Sequence, residues 1–514
     1  MNKKVIAKIF SVLLTTSMVL TGCSSGNTKS VSEDKVLKTL IYAQPTEATG
    51  LDPIFVSDTQ SSRPISNIYE GLVRFKSGTT QVEPCLATSW KISDDSKVYT
   101  FTLRKNVKFQ DGTAFNADAV KINFERQMGT NKKADMAYAT MIFGNVKEVT
   151  KVDDYTVNVV LKNVFTPFLS NLALALGPTI VSPKTLEQYG KLTENPVGTG
   201  PFKFVKWDKG QSITLEKYSD YWGNKANVDK LVFKFIKESS VRANELLNGS
   251  VDIAESIEPS DVKKLEDSKI QVLKQTTVTT TYAGFNTARA PFNNVKLREA
   301  VYHAINSADI LQYTYQGYGE VAKTALPTIV PGYDNTVKPY EFNVAKSKAI
   351  LKETGNENLP VKIITNTTRQ KLGESVQNFL AKAGFNATLQ VYTAKEYKQK
   401  VIQGEGDIFI YGWVGVNGDA DIFLNLLNSK EIESNLNLSK YSNPKVDTLL
   451  AKGKSLPNGE ERNSVYKEIQ QILAVDVPWV NLINPSDITG TTSKVKNFKL
   501  QPTGLMLIND TDKN

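Results

Sequence analysis

Histidine and cysteine are nearly missing from this sequence. Its 514 residues include one histidine, His303, and two cysteines, Cys23 and Cys85. A single histidine excludes sites that require two, such as an H-E-x-x-H zinc protease or a Cys₂His₂ finger. The sequence also has no C-x-x-C pair and no G-x-S-x-G elbow, so it lacks the parts for thiolate metal chemistry and for nucleophilic catalysis. We therefore expect no enzyme activity and no cofactor.

Runs of like charge are missing as well. Lysine and arginine together number 62, against 53 aspartates and glutamates, which gives a formal net charge of +9. No five or six basic residues stand together, so nucleic acid is not expected as a partner. The hydrophobic fraction of 40% and the charged fraction of 22% are ordinary for a soluble globular protein. The length predicts two or three domains.

The N-terminal segment is predicted to be an export signal. Lys3, Lys4 and Lys8 precede or border an apolar run of 12 residues at 9–20 (IFSVLLTTSMVL). This run is too short to span a bilayer, which needs about 20 residues. It leads into the tetrapeptide LTGC, which ends at Cys23 and resembles a bacterial lipobox, in which the cysteine is acylated. We predict a lipoprotein signal peptide at 1–22; the alternative is an ordinary secretory signal with a chance cysteine.

Acylation of Cys23 would place the protein on the extracytoplasmic face of the bacterial cell membrane. Two acyl chains anchor a protein stably, because each buried methylene contributes about 0.8 kcal/mol. Residues 23–34 are polar and predict a tether, and loss of the signal lysines lowers the net charge from +9 to +6. Cys85 is then left without a partner, so we predict a small buried residue rather than a disulfide.

The rest of the chain alternates strand and helix patterns. Period-two alternation predicts strands at 98–107, 155–161 and 230–236. Amphipathic periodicity predicts helices at 297–305, 371–383 and 462–473, and Asn116 or Asp118 is suited to cap another helix. This alternation favours an α/β fold over an all-β sandwich or a helical bundle.

Several conspicuous residues are interpreted as structural. The aromatic residues Trp90, Tyr99, Phe101 and Phe109 are expected in a core. The segment GTGP at 198–201 lacks the spacing of phosphate-binding loops and predicts a tight entry into a strand. The triplet GKS at 453–455 lacks the glycine that a P-loop requires five residues earlier, and it follows a helix. His303 stands in an apolar helical pattern and is expected to be packed or capping.

Five segments together resemble one protein family. They occur in order along the chain: LDP at 51–53 with NIYEGL at 67–72; ATSW at 87–90 with YTFTLR at 99–104, VKF at 107–109 and DG at 111–112; PVGTGPF at 196–202 with YWG at 221–223; FNT at 285–287 with PF at 291–292 and VKLREAVYHAIN at 295–306; and GW at 412–413 with GDAD at 418–421. The combination is similar to the large extracytoplasmic solute-binding proteins of ABC importers, the peptide/nickel (oligopeptide- and dipeptide-binding) family.

The resemblance implies a two-lobed, hinged periplasmic-binding-protein-like α/β fold with an extra inserted domain. Lobe I is expected at 35–75, 198–285 and 485–514, the inserted domain at 76–197 and lobe II at 286–484. A peptide-like ligand would be buried between the lobes, and closure would shift the hinge equilibrium. The implied partners are the permease subunits with their ATPases, and the protein is expected to be a monomer.

Specificity is expected to depend on the loop after Trp413. In peptide-binding members, an aspartate three residues after this tryptophan pairs with the peptide α-ammonium, whereas this chain has Val416 there. Asn417 belongs to the same loop and is assigned to the ligand site with it. Asp419 and Asp421 could supply charge to a ligand ammonium, or either could cap a helix at 422–427. The spacing G-W-x-x-x-x-G-D-A-D also resembles the glutathione-binding branch.

Arg369 is the candidate for the ligand carboxylate. Some dipeptide binders have a carboxylate-binding arginine in this region, just before a helix, and a guanidinium binds a carboxylate bidentately. The alternative is a solvated arginine at a helix start. Trp413 could pack against the ligand. Rival ligands are a nickel chelate, an oligosaccharide or an opine, although direct nickel coordination favours imidazole; rival functions are a lipoprotein hydrolase and an adhesin or signalling lipoprotein.

Overall fold

The structure described here is a computed structural model, and it describes residues 37–190, 192 and 194–514. The predicted signal peptide, Cys23 and the tether lie outside these residues. Residues 38–514 form one compact unit. No helix among the described residues combines the length and apolarity that a membrane crossing requires.

Twenty strands are formed by the described residues. In chain order they are β1 Thr39–Gln44, β2 Val73–Phe75, β3 Val82–Pro84, β4 Ala87–Ile92, β5 Val98–Leu103, β6 Val146–Asp153, β7 Thr156–Leu161, β8 Phe202–Asp208, β9 Ser212–Lys217, β10 Lys230–Phe235, β11 Ile253–Ala254, β12 Gln271–Thr276, β13 Thr279–Phe285, β14 Gly319–Val321, β15 Pro360–Asn366, β16 Asn386–Tyr392, β17 Ile408–Val414, β18 Trp479–Thr491, β19 Val495–Lys496 and β20 Asp512–Lys513.

The same residues form fifteen α-helices. They are α1 Thr59–Ile68, α2 Ala117–Glu125, α3 Ala139–Phe143, α4 Phe168–Leu172, α5 Pro183–Tyr189, α6 Ser239–Leu247, α7 Pro259–Asp267, α8 Val295–Ala304, α9 Ser307–Thr314, α10 Val344–Glu353, α11 Gln370–Lys382, α12 Ala394–Ile402, α13 Ala420–Leu424, α14 Pro444–Ser455 and α15 Glu460–Asp476. Short 3₁₀ turns lie at Gly129–Asn131, Thr367–Arg369, Asn425–Leu427 and Ser429–Glu431.

One large mixed sheet runs through both halves of the molecule. The first half contains β1–β12, β19 and β20, the second half contains β13–β17, and the long strand β18 belongs to both. The strand order is β16-β15-β17-β13-β18-β11-β1-β10-β9-β8, and β12 and β14 also pair with β18. The first part of β18 pairs with β13, and its second part pairs with β11 and β12. The chain therefore passes between the two halves at Thr277–Val278, between β12 and β13, and again within β18.

A separate four-stranded sheet, β4-β5-β7-β6, carries its own core. Tyr99, Phe101 and Phe109 are at most 3% exposed in that core, and Trp90 packs against it partly buried. The expectation of core aromatics is thus confirmed. Helix α2 lies over this sheet, and the side chain of Asn116, not that of Asp118, accepts the N–H of Ala119 at its start. Since an N-cap residue must precede the first helical turn, Asp118 lies two residues too late, inside that turn.

The predicted elements agree with the structure except at their ends. The predicted strand at 98–107 ends at Leu103, because the chain turns through Asn106, whose φ is +62°. Residues 198–201 do enter a strand tightly: a Cβ added to Gly198 would lie 2.2 Å from the carbonyl oxygen of Ile68. His303 is 3% exposed in α8, with Nδ1 2.6 Å from the carbonyl oxygen of Glu341. Cys85 is a buried free thiol.

Candidate ligand-binding site

The candidate ligand-binding residues of the second half lie along β17 and the loop that follows it. Trp413 stands near the end of β17, opposite Thr280 of β13. The loop from Gly415 to Asp419 then leads into α13. Because this loop follows a central strand of the sheet, its position is determined by the strand pairing. Trp413, Val416, Asn417, Asp419 and Asp421 are brought together in this way.

Arg369 is placed beside this strand by a 3₁₀ turn after β15. Its backbone N–H donates to the side-chain oxygen of Asn366 at 3.1 Å. Its guanidinium lies against Gly412, where an added Cβ would be 2.5 Å from Nη2. The absence of a side chain at Gly412 therefore makes room for the guanidinium next to Trp413.

The guanidinium of Arg369 has no ion-pair partner among the described residues. Its neighbours are phenols, and burial raises the pKa of each of them, with Arg369 opposing the rise: Tyr282, Tyr315, Tyr397 and Tyr411. These phenols therefore stay neutral near pH 7 and cannot balance the charge. A partly buried cation without a counter-ion is suited to bind an anionic group of a ligand.

Trp413 contributes an unsatisfied donor. Its indole Nε1 is buried without a hydrogen-bond acceptor, and so is the hydroxyl of Thr280 directly across the ladder. Buried polar groups without a partner are rare in native proteins and call for an explanation. A bound ligand or an ordered water would provide one.

Val416 faces a small cavity between the two halves of the molecule. The cavity has a volume of about 50 Å³, and Val416 also packs against the core of the four-stranded sheet. Leu174, Leu176 and Leu505 supply most of the apolar wall. Asp58, which caps α1, is the only acidic residue of the described chain that lines it. At this volume the cavity holds no more than about one or two waters, so a peptide requires the halves to open.

Asn417 links the loop to the other half. Its side-chain amide donates to the side-chain oxygen of Asn171, in α4, at 2.7 Å. Two further hydrogen bonds join Thr166 to the backbone of α14 and the residue after it, from its N–H to Lys454 at 2.9 Å and from its hydroxyl to Leu456 at 2.6 Å. These bonds hold the two halves in contact in this structure.

Of the two roles that the sequence left open for Asp419, ligand binding or helix capping, the structure shows the cap, and it adds an ion pair. Its side chain caps α13 by accepting the N–H of Asp421 at 2.9 Å. Both of its oxygens also accept from the guanidinium of Arg462, at 2.9 and 2.8 Å, and both side chains are at most 5% exposed. A carboxylate bound this way has little capacity left for a ligand ammonium.

Asp421 is buried with one oxygen unpartnered. Burial raises its pKa to about 7, while Lys454, whose Nζ lies 3.8 Å away, lowers it and Asp419 raises it. The carboxyl is therefore close to half protonated at neutral pH. Its Oδ1, the oxygen that lies 3.8 Å from Lys454, is buried and accepts no hydrogen bond from the described residues.

Sequence reasoning missed the contribution of the first half to this cavity. Asp58, Tyr138, Leu174 and Leu505 come from four separate segments. None of them belongs to a motif or stands out by residue type. Only the position of Asp58 at the N-cap of α1 carries a local signal, and that signal indicates a helix start rather than a ligand site.

The chain has relatives among known proteins. The family described as "Bacterial extracellular solute-binding proteins, family 5 Middle" matches residues 81–435. Heme-binding protein A of Haemophilus influenzae is 32% identical, with 96% of each chain covered. The dipeptide-binding protein of Escherichia coli is 31% identical over 91% of this chain and 93% of its own.

A solved structure of similar sequence shares the fold. The periplasmic binding protein DppA of Helicobacter pylori, in complex with the peptide STSA, is 34% identical and has a TM-score of 0.80. The match covers 92% of this chain and 98% of that protein. Both the sequence family and the fold are thereby shared over nearly the whole described chain.

Proposed function

The chain belongs to the bacterial extracellular solute-binding proteins, family 5, and we propose that it captures a short peptide, or a glutathione-like solute, for an ABC importer. The ligand is bound between the two halves of the molecule, and the closed form delivers it to the permease. The protein binds its solute without chemical conversion. This proposal draws on the peptide in the similar Helicobacter structure and on the site geometry.

The observation that carries the proposal is the unpaired guanidinium of Arg369. It lies beside Gly412 and Trp413 and among neutral phenols. A peptide carboxylate would satisfy this charge, and the indole N–H of Trp413 could donate to a peptide carbonyl group. We assign Arg369 to the ligand carboxylate and Trp413, with Val416 and Asn417 after it, to the wall of the site.

The ligand ammonium requires a different partner from the aspartate of the peptide-binding relatives. Val416 supplies no charge, and Asp419 is bound by Arg462. Asp58 lines the same cavity as Val416 from the opposite side. We therefore assign the ammonium group to Asp58, with Asp421 as the second candidate.

We propose the lobe division and the anchor as follows. Lobe I comprises 35–75, 198–285 and 485–514, the inserted domain 76–197 and lobe II 286–484. The pairing of β13 with β17 favours moving the first crossing to Thr277–Val278. Acylation at Cys23 holds a monomeric protein at the outer face of the membrane, from which it meets the permease.

The deciding experiment combines ligand identification with a matched pair of ligands. Native mass spectrometry of protein purified from rich medium is expected to show a bound peptide. Calorimetry then compares each peptide with its C-terminal amide. The Arg369→Ala variant is expected to lose about 1.5–3 kcal/mol with the free acid, the scale of a charged hydrogen bond, and little with the amide.

Controls and alternatives are built into the same measurements. Arg289→Ala removes a guanidinium on the exposed surface and is expected to leave affinity unchanged. Asp58→Asn keeps the helix cap and is expected to weaken only ligands with a free ammonium. If peptides and glutathione fail to raise the melting temperature while a nickel chelate, an oligosaccharide or an opine does so, the peptide proposal is wrong, because a ligand of the native state must stabilise it.

A further inference from the structure

A second and larger cavity lies between lobe I and the inserted domain. Its volume is about 620 Å³, within the range of about 300–1,000 Å³ that small-molecule sites occupy. Its walls are the β2–β3 hairpin, the segment around Trp222 and the C-terminal segment between Asn497 and Asp510. None of the residues 286–484 lines it, so it exists independently of lobe II.

Two arginines line this cavity with their terminal nitrogens unpaired. Arg104 donates from Nε to the carbonyl oxygen of Cys85 at 2.6 Å, and its guanidinium lies 4.5 Å from the ring centre of Trp222. Arg74 donates from Nε to the carboxylate of Glu83 at 2.8 Å. Among the described residues, the Nη atoms of both arginines have no hydrogen-bond acceptor. Each guanidinium is therefore oriented by one anchor while the groups that bind oxyanions stay available.

The two positive charges act on the same region. Burial raises the pKa of the Cys85 thiol, and Arg74 and Arg104 are both close enough to oppose that rise. Lys76 and Lys499 stand at the exposed rim of the cavity. The lining thus places four cationic side chains around one space.

The carboxylates of the lining compensate this charge only in part. Glu83 is already paired with Arg74, and Asp510 is exposed. Glu70 accepts from Tyr221 at 2.7 Å, Trp222 at 2.7 Å and Thr199 at 2.9 Å. Burial raises the pKa of Glu70 despite these donors. The acidic groups are therefore occupied, and the guanidinium Nη atoms are the groups left to bind a ligand.

The cavity adjoins the small one that Val416 faces. Leu174, Ala175 and Leu505 line both. These side chains are the partition between the two spaces. A ligand that entered the cleft between the lobes could thus extend past Leu505 toward the arginines, and a separate small molecule could also reach them through the open rim.

We propose that this cavity binds a carboxylate-bearing small molecule through Arg74 and Arg104. The carboxylate can come from a free organic acid or from an acidic side chain near the ammonium end of a peptide held in the cleft; the second source rests on the proposed function, and the first does not. In both cases the Nη atoms donate to the carboxylate oxygens and the indole of Trp222 supports the guanidinium of Arg104 from behind.

The test uses the full protein and two arms. In the first, calorimetry measures succinate, glutarate and citrate; wild type is expected to bind at least one of them, and Arg74→Gln/Arg104→Gln to bind it about tenfold more weakly or worse. In the second, the tripeptides Glu-Ala-Ala and Gln-Ala-Ala are compared, because the cavity adjoins the space assigned to the peptide ammonium; if the peptide supplies the carboxylate, wild type prefers the glutamate peptide about tenfold and the double variant loses that preference.

Arg289→Gln is the matched control and is expected to change neither the affinity for the organic acids nor the preference between the tripeptides. Arg369→Ala is expected to leave the affinity for the organic acids unchanged. If the double variant unfolds, Arg74→Gln alone serves, because 41% of that side chain is exposed and its loss should be tolerated. The proposal is overturned if wild type binds none of the three acids and shows no preference between the peptides, or if the double variant retains either effect. Failure of the proposed function is separate, since it appears as absence of peptide binding altogether.

Discussion

Replacing Asp419 by asparagine is expected to lower the free energy of unfolding of the protein, because the buried guanidinium of Arg462 loses its carboxylate partner. Asp419 and Arg462 share two hydrogen bonds of 2.9 and 2.8 Å, and their side chains are 5% and 4% exposed. Without the carboxylate, Arg462 keeps only neutral hydrogen-bond partners, the carbonyl oxygen of Gly453, the side-chain oxygen of Asn458 and the hydroxyl of Tyr466. The remaining acidic neighbour, Asp421, is not hydrogen-bonded to it, and burial raises the pKa of Asp421 to about 7. Breaking such a pair costs about 3–5 kcal/mol, because one charge is left buried.

The loss in free energy of unfolding has two components, one from the ion pair with Arg462 and one from the cap of α13. Asparagine can still accept the N–H of Asp421, so Asp419→Asn should show the charge effect alone. Asp419→Ala also removes the cap of α13 and should cost about 1 kcal/mol more. Adding Arg462→Met to Asp419→Asn should restore part of the stability, because no unpaired cation remains. The coupling between the two sites is the difference between the double variant and the sum of the single ones.

Urea unfolding followed by tryptophan fluorescence at pH 7 measures the free energy of each variant, and calorimetry measures the affinity for the identified ligand. The reasoning is refuted by an Asp419→Asn protein that unfolds within about 0.5 kcal/mol of wild type and binds its ligand ten times more weakly or worse. That pair of results would mean that the partner of Asp419 is the ligand ammonium and not Arg462.

Three further predictions follow from individual residues. Burial raises the pKa of Asp421 from 3.8 to about 7, so between these pH values the folded state holds a proton that the unfolded state has lost. The free energy of unfolding should therefore fall by up to about 4 kcal/mol as pH rises from about 4 to 7. Urea midpoints should depend less on pH in this range for Asp421→Asn, and a pH profile equal to that of wild type would contradict the assignment. Gly412→Ala should displace the guanidinium of Arg369, because the added Cβ would lie 2.5 Å from its Nη2. Calorimetry should show about tenfold lower affinity for a carboxylate ligand, with little change in melting temperature. Equal affinity of the variant and wild type for the acid would exclude Arg369 from the site. Gly198→Ala should cost about 1–3 kcal/mol in urea unfolding, because its Cβ would meet the backbone oxygen of Ile68 at 2.2 Å, and a neutral result would mean that the backbone there shifts freely.

Several predictions from the sequence agree with the structure because they depend on local patterns. The alternation in 155–161 and 230–236 became β7 and β10, and the apolar periodicity in 371–383 became α11 within one residue at each end. Asn116 caps α2, as its side chain suggested. Strand alternation and helix capping are determined by neighbouring residues, so they can be predicted without knowledge of the fold.

The candidate site was predictable only in part. The resemblance selected the loop after Trp413 and the turn at Arg369, and the structure brings the two together at Gly412. The sequence left Asp419 open between cap and ligand, since its partner Arg462 lies 43 residues away. A contact between residues that far apart in the chain cannot be recognised from the pattern of neighbouring residues.

The α/β succession, the family resemblance, the likeness of LTGC to a lipobox and the presence of Val416 in place of the expected aspartate can all be recognised from the amino-acid sequence. The pairing of charges and the position of the cavities became evident from the folded protein alone. Asp419 is paired with Arg462, whereas Arg369 has no ion-pair partner among the described residues, and the Nη atoms of Arg74 and Arg104 have no acceptor there. Two adjoining cavities share Leu505 in their walls. The physical reason is that hydrogen-bonding and amphipathic patterns are local, whereas ion pairs and cavities arise where segments distant in the chain are packed together.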